Sequence, residues 1–308
     1  MTDVLHQRPG TGRTPGKAAP PARPRRAGLP RLLRGSGPRR PNYPAGLASL
    51  LWLVLVGAPL YVLVATTFRT RDGYIDDGPL SLPTHPTLAN YDRVLSSHFF
   101  TYLGNTLVVT AVCATIVIVL SVTVGYAVVR ARGRVSRRVF QIFLLGLAIP
   151  SQAVIIPIYL VITKLQLYDT LLAVILPTAA FSLPVSVLIL AGTMRDIDEE
   201  LYESMALDGA GPTRVLLRLV VPMSRAGIST VGVYSALHAW NGFMFPLILT
   251  QSRDNRVLTL GLYDYVGEFR VDTPALLTAV VLSIVPIFVV YLFARRQLIN
   301  GLMGVGGK

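Results

Sequence analysis

Six stretches of this chain, at about residues 46–68, 102–129, 139–163, 171–193, 226–249 and 275–294, are apolar for long enough to cross a lipid bilayer. A helical span needs roughly 20 mostly apolar residues. In hydrocarbon every backbone N–H and C=O must find its partner inside the protein, which a helix achieves by itself. The pattern predicts an all-α membrane protein with six transmembrane helices. Composition agrees: 15% of the 308 residues are charged, against roughly 25% in soluble domains. The single cysteine, Cys113, lies in an apolar run, so no disulfide framework exists and the thiol is expected to face lipid or a neighbouring helix.

A net charge of +13 would point a soluble protein toward nucleic acid. Its distribution argues for topology instead. With the N-terminus inside, the inner segments hold 22 of the 29 Lys and Arg and the outer segments hold 7. The positive-inside rule then places both termini, and the segment between the fourth and fifth spans, in the cytoplasm of a multi-pass cell-membrane protein. Lipid is a partner on this reading and nucleic acid is not. Residues 1–45 carry ten Arg and Lys, one acid (Asp3) and many prolines, and are expected to be a disordered cytoplasmic tail ahead of a six-span domain at 46–308. The apolar run that follows is longer than the roughly 7–15 residues of a signal-peptide core, which favours an uncleaved first span. Prolines recur within the spans, at Pro150, Pro157, Pro177, Pro184, Pro246 and Pro286. Each removes a backbone donor and kinks its helix. Ordinary irregularity and a bundle shaped around a pathway both account for them.

The insert at 195–222 breaks the oil with "DIDEELYESMALDGAGPTRVLLRLVVP". Asp196, Asp198, Glu199 and Glu200 cluster where a helix N-terminus favours acids. Ile197, Leu201 and Met205 recur every four residues, predicting one apolar stripe. Asp208-Gly209-Ala210-Gly211 should end that helix, because glycine tolerates left-handed backbone. Pro212 suits the first turn of a second helix, and Pro222 should mark the bend into the fifth span. An amphipathic linker on lipid is the plainer reading. The acids argue against it, since anionic headgroups repel them, and an apolar stripe edged with charge fits a groove on a protein partner.

Here the sequence resembles the inner-membrane permeases of ABC importers. Their signature loop reads Glu-Ala-Ala, three residues, Gly, nine residues, Ile-x-Leu-Pro. Glu203, Gly209, Leu219, Val221 and Pro222 fall at those spacings, while Ser204 and Met205 depart from the two alanines. "NTLVVT" from Asn105 and "AWNGFMFPLILT" from Ala239 are similar to stretches of the carbohydrate-type permeases. The ending "RRQLINGLMGVGGK" resembles that of the maltose-type partner bearing a C-terminal tail, with Arg296, Gly301 and Leu302 matching.

The resemblance implies a transport subunit for sugars or related polyols. Such a chain pairs with a second permease, expected to be a different chain, and with two ATPase subunits and an extracytoplasmic solute-binding protein. The insert would be a coupling helix seated in an ATPase cleft, with Glu203 and Ser204 as contacts and Asp208, Gly209 and Ala210 as the turn. Leu219 and Pro222 complete that loop, and the 295–308 tail would reach between the ATPases. ATP would be used by those partners, and this chain is expected to bind no cofactor or metal and to have no catalytic residues. The absence of a Gly-x-x-x-x-Gly-Lys-Ser/Thr phosphate loop agrees with that division of labour.

His238, Trp240 and Asn241 are polar or amphipathic groups within a span. They are candidates for a wall of the solute path, with interhelical hydrogen bonding as the plainer reading. Asn105, Gln141 and Gln152 read the same way. Tyr74, Tyr263 and Tyr265 lie on outer segments that are either a docking surface for the binding protein or solvated loops. A permease of this fold for a non-sugar solute is the nearest alternative. A membrane-embedded enzyme or a stand-alone channel would require ionisable groups at membrane depth, and the central parts of the six spans contain no Asp, Glu or Lys.

Overall fold

The computed structural model describes residues 43–131, 133–267 and 271–303, with no side chains for 291 and 293–303. The expected tail thus falls outside the described residues up to residue 42. Two compact units are distinguished, residues 1–52 and 53–308. Of the first, only the opening of helix α1 (Tyr43–Thr67) is described. Among the described residues all regular structure is helical, apart from an isolated bridge between Val266 and Val271.

After α1 come two short helices, α2 (Arg71–Asp77) and α3 (Ala89–Leu95), then the long α4 (Phe99–Arg130). Next are α5 (Arg134–Gly146), α6 (Ile155–Lys164) and α7 (Leu171–Arg195). The insert forms α8 (Glu199–Leu207), α9 (Pro212–Val215), a π-helical segment (Leu216–Val220) and α10 (Val221–Met223). The chain finishes with α11 (Arg225–Trp240), α12 (Met244–Leu249), α13 (Leu258–Gly261) and α14 (Thr273–Met303).

Helices α4, α7 and α11 pack on one another to form the core. Small residues let them approach, as membrane helices require in the absence of a hydrophobic drive. Gly125 faces Leu190 and Ala191, and a Cβ at Gly227 would lie 2.6 Å from Thr193 Oγ1. Cys113 is fully buried between Val109 and Val117 of the same helix face, so it faces helices and not lipid. Ser121, Thr178, Ser182, Ser186 and Ser235 are buried too. Each hydroxyl donates to the carbonyl four residues earlier, so none is stranded in the core.

Four helices, α1, α4, α7 and the first part of α14, are long and apolar enough to cross a membrane, and up to six spans result if two bent pairs each count as one. The third apolar run is not one rod. α5 and the segment Ser151–Lys164 meet at 96°. The break falls at Leu147–Pro150, where Pro150 is extended (φ −69°, ψ 130°) and disfavours helix at the residue before it. The fifth run is likewise helical in two pieces, α11 and α12, interrupted at Asn241–Phe243. By contrast Pro177 and Pro184 lie inside a continuous α7, and Pro286 inside α14.

Candidate functional site

The insert is assembled at the end of the bundle where α4 and α7 finish. Helix α8 starts after Asp198, so Ile197 precedes it and the expected stripe does not run straight. Ile197 and Met205 pack against the core, but Leu201 is 37% exposed. Tyr202 takes the inner position instead, at 4% exposure. Its hydroxyl has no hydrogen-bond partner among the described residues, and burial raises its pKa above the ordinary phenol value.

Arg130, the last residue of α4, holds α8 in place twice. Its Nη1 lies 2.8 Å from Glu199 Oε1, and its guanidinium stands 4.2 Å over the Tyr202 ring. In the sequence Arg130 reads only as one of several inner charges.

The turn after α8 closes by paired backbone bonds. Ala210 N–H donates to Met205 O (2.9 Å) and Gly209 N–H to Ala206 O (3.0 Å). That pairing is a Schellman motif, with its left-handed residue at Gly209 (φ +71°). The apolar contact that accompanies such a motif is supplied by Met205 and Ala210, both packed against the core. Glu203, Ser204, Asp208 and Gly209 all face outward. So does Leu207, 90% exposed, which the motif-based reading did not single out. Its signal was a large apolar residue directly before the glycine turn.

Beyond the turn, Val215 and Val220 are buried, Leu219 is half-buried against the core and Pro222 is exposed. The bend into α11 is 78° and falls at Ser224, two residues past the Pro222 expected to mark it. Pro222 lies instead near the end of the unbroken helical run Pro212–Met223, just after its π segment. Ser224 is fully buried and its hydroxyl has no partner among the described residues.

A separate cavity of about 290 Å³ opens where α5–α6 and α11–α12 break. Phe181, Phe243 and Phe245 line it with Thr178, Ser151 and His238. His238 Nδ1 lies 3.2 Å from Ser182 Oγ, and its ring stacks on Tyr234. The three candidate path residues therefore part company. Trp240 is buried in a different cluster with Phe99, Tyr102 and Leu258, and Asn241 donates to Leu237 O on its own helix. Gln141 and Gln152 are exposed. Arg296, Gly301 and Leu302 fall in the last turns of α14, where only the backbone is described, and residues 304–308 lie outside the described residues.

At the opposite end, polar side chains tie the segment 250–264 to the helices. Asp169 (φ 58°) accepts from Gln251 N–H, Ser252 N–H and Ser252 Oγ–H at 2.9, 3.0 and 3.1 Å. Burial alone would raise its pKa, but those bonds outweigh burial and hold the carboxyl below its ordinary value. Asn105 Nδ2 donates to Asp254 O and Arg256 O, and Leu258 N–H donates to Thr106 Oγ1. Tyr263 is exposed, whereas Tyr265 packs against the core and shares a hydrogen bond with Ser97. Among the described residues no group of His, Cys, Asp and Glu is placed to hold a metal ion.

A family described as "binding-protein-dependent transport system inner membrane component" matches residues 117–298. An ABC transporter permease protein (ORF2) of Caldicellulosiruptor sp. strain Rt8B.4 is 32% identical over 253 residues, covering 82% of this chain and 92% of that one. The diacetylchitobiose uptake system permease protein NgcG of Streptomyces coelicolor is 29% identical over 252 residues, 81% of this chain and 83% of its own. In fold, the chain is similar to a crystal structure of a bacterial ABC transporter involved in the import of the acidic polysaccharide alginate. The TM-score is 0.73 at 18% identity, over 84% of this chain and 98% of the other.

Proposed function

This chain belongs to the binding-protein-dependent transport system inner membrane components, and from that premise we propose that it is one permease subunit of an ATP-driven sugar importer. An oligosaccharide is the solute class, by analogy with the diacetylchitobiose permease it resembles. A second, different permease chain completes the membrane core. Two ATPases dock beneath it, and an extracytoplasmic binding protein delivers solute from the other side. Both termini and the 195–222 insert face the cytoplasm, with residues 1–45 as a tail before the six-span domain.

The observation that carries this reading is the α8 turn. Its inner face is fastened to the bundle through Tyr202, Met205 and Arg130, while Glu203, Ser204, Leu207 and Asp208 stand free of it. A rigid knob with an exposed leucine suits a socket on a motor subunit. ATP-driven closure of that socket would push α8, and through Arg130 and the π segment the push would reach α4 and α11. The cavity beside His238 is this chain's share of the solute path, its phenylalanines offering apolar faces to sugar rings. Arg296, Gly301 and Leu302 would contact the ATPases. No cofactor is bound by this chain.

The test is reconstitution in proteoliposomes with the partner permease, the ATPase and the binding protein, and labelled diacetylchitobiose. Uptake should require ATP and the binding protein. Equal uptake without ATP would overturn the proposal.

A further inference from the structure

A second cavity lies at the insert's end of the bundle, apart from both sites above. It measures about 540 Å³ and sits between the end of α4, the start of α5 and the end of α7. Arg134, Arg137 and Arg195 line it, together with Val128, Val129 and Phe140. Among the described residues of its wall none is acidic. Among the described residues none of these three arginines has an ion-pair partner. Arg195 is held against the wall by the Phe140 ring, 5.2 Å from its guanidinium carbon. Helix α5 opens at Gly133, which supplies no side-chain cap, so the positive end of the helix adds to the same field.

Three guanidiniums sharing one open hollow repel one another until an anion joins them. Arginine forks match phosphate oxygens in pairs. A phosphate could arrive free from solution or on a lipid. The rest of α5 favours the lipid. Val135, Ile142 and Leu145 are exposed on this helix, at 74%, 66% and 67%. A basic helix with a bare apolar flank belongs at the membrane interface. Free phosphate would use the arginines but not that flank, whereas a phospholipid uses both. Basic pockets between membrane helices receive anionic headgroups for this reason.

We propose that the Arg134–Arg137–Arg195 hollow is a binding site for the phosphate of an anionic phospholipid in the leaflet on the insert's side. The headgroup enters the hollow, and its acyl chains run along Ile142 and Leu145.

The full chain, purified in neutral detergent, is titrated with phosphatidylglycerol, phosphatidylcholine or inorganic phosphate and read by native mass spectrometry. Phosphatidylglycerol should be retained and phosphatidylcholine should not. The double variant Arg137→Gln/Arg195→Gln should weaken phosphatidylglycerol binding roughly 30-fold, at about fivefold per arginine. Arg137→Lys should restore part of the loss in that background. Arg138→Gln, the same charge loss on α5 outside the cavity wall, should leave retention unchanged, which also guards against a folding artefact. Equal losses for Arg138→Gln and Arg137→Gln would reduce the effect to surface charge and overturn the site. So would undiminished binding in the double variant. Inorganic phosphate binding as tightly as the lipid would overturn the lipid as the source. Loss of a co-purifying ATPase from the double variant, with lipid retention intact, would reassign the hollow to a protein contact.

Discussion

At the end of the bundle away from the insert, Asp169, Asn105 and Thr106 knit the 250–258 segment to α4 and the α6–α7 turn with side chain-to-backbone hydrogen bonds. At the insert's end the ties are of another kind. α8 rests on apolar packing by Tyr202 and Met205, one ion pair from Arg130, and a backbone turn that only glycine closes without strain. The first end is a loop clasped to the helices behind it by Asp169, Asn105 and Thr106. The second leaves Glu203, Ser204, Asp208 and Leu207 facing outward. Under the proposed coupling role, the surface fastened from behind and open in front is the part that would be pushed, and the clasped end would hold helices while others move.

If that contrast holds, substitutions at the two ends should fail differently. Gly209→Val places a β-branched residue at φ +71°, where nothing crowds the space but the backbone itself is strained. That conformation disfavours ordinary residues by about 1–2 kcal/mol. ATP-driven uptake should fall roughly tenfold or more, since about 1.4 kcal/mol is tenfold in an equilibrium. Membrane insertion and melting temperature should barely change. Gly209→Asn should sit between, because asparagine tolerates the left-handed region. Full uptake by the valine variant would remove the turn's role.

Gly261→Ala should do the reverse. An added Cβ there would lie 2.2 Å from the Tyr102 ring, so α13 must lift from α4. Overpacking of this kind destabilises by about 1–3 kcal/mol. The melting temperature of the purified chain should drop, while uptake per folded molecule stays near wild type. An unchanged melting point would contradict the rigidity assigned to that end.

The smallest effect concerns pH. Asp169 has a folded pKa below its ordinary 3.8, so its stabilisation is complete above that value and is lost as pH falls through the lower folded value. Between pH 7 and pH 5 the melting temperatures of wild type and Asp169→Asn should keep a constant gap. The gap should close only below pH 3.8. A gap that closes near neutrality would assign the clasp to another group.

The sequence made the membrane class legible because apolar length is a one-dimensional property. The glycine turn was legible too, since Gly209 is demanded by backbone geometry alone. The breaks were not. Pro177 and Pro184 have the same local chemistry as Pro150, yet α7 continues through both while the third run bends. Neighbours decide this: α7 is packed on several sides, and Gly146 ends α5 directly against Pro184, where a Cβ would stand 3.0 Å from the proline ring. The role of Arg130 was hidden for the same reason, because its partners Glu199 and Tyr202 are about 70 positions away. Trp240 and His238, two residues apart, enter different environments, and only the packing of α11 tells them apart.

A cysteine at Leu207 interrogates the insert without interference, because the native Cys113 is fully buried. In sealed cells a membrane-impermeant maleimide should leave Leu207→Cys unlabelled until the membrane is opened. A short bifunctional crosslinker should then join it to the ATPase subunit. Labelling from outside intact cells, or an assembled and active importer in which that cysteine reaches no ATPase, would contradict the assignment of residues 195–222 as the motor's point of contact.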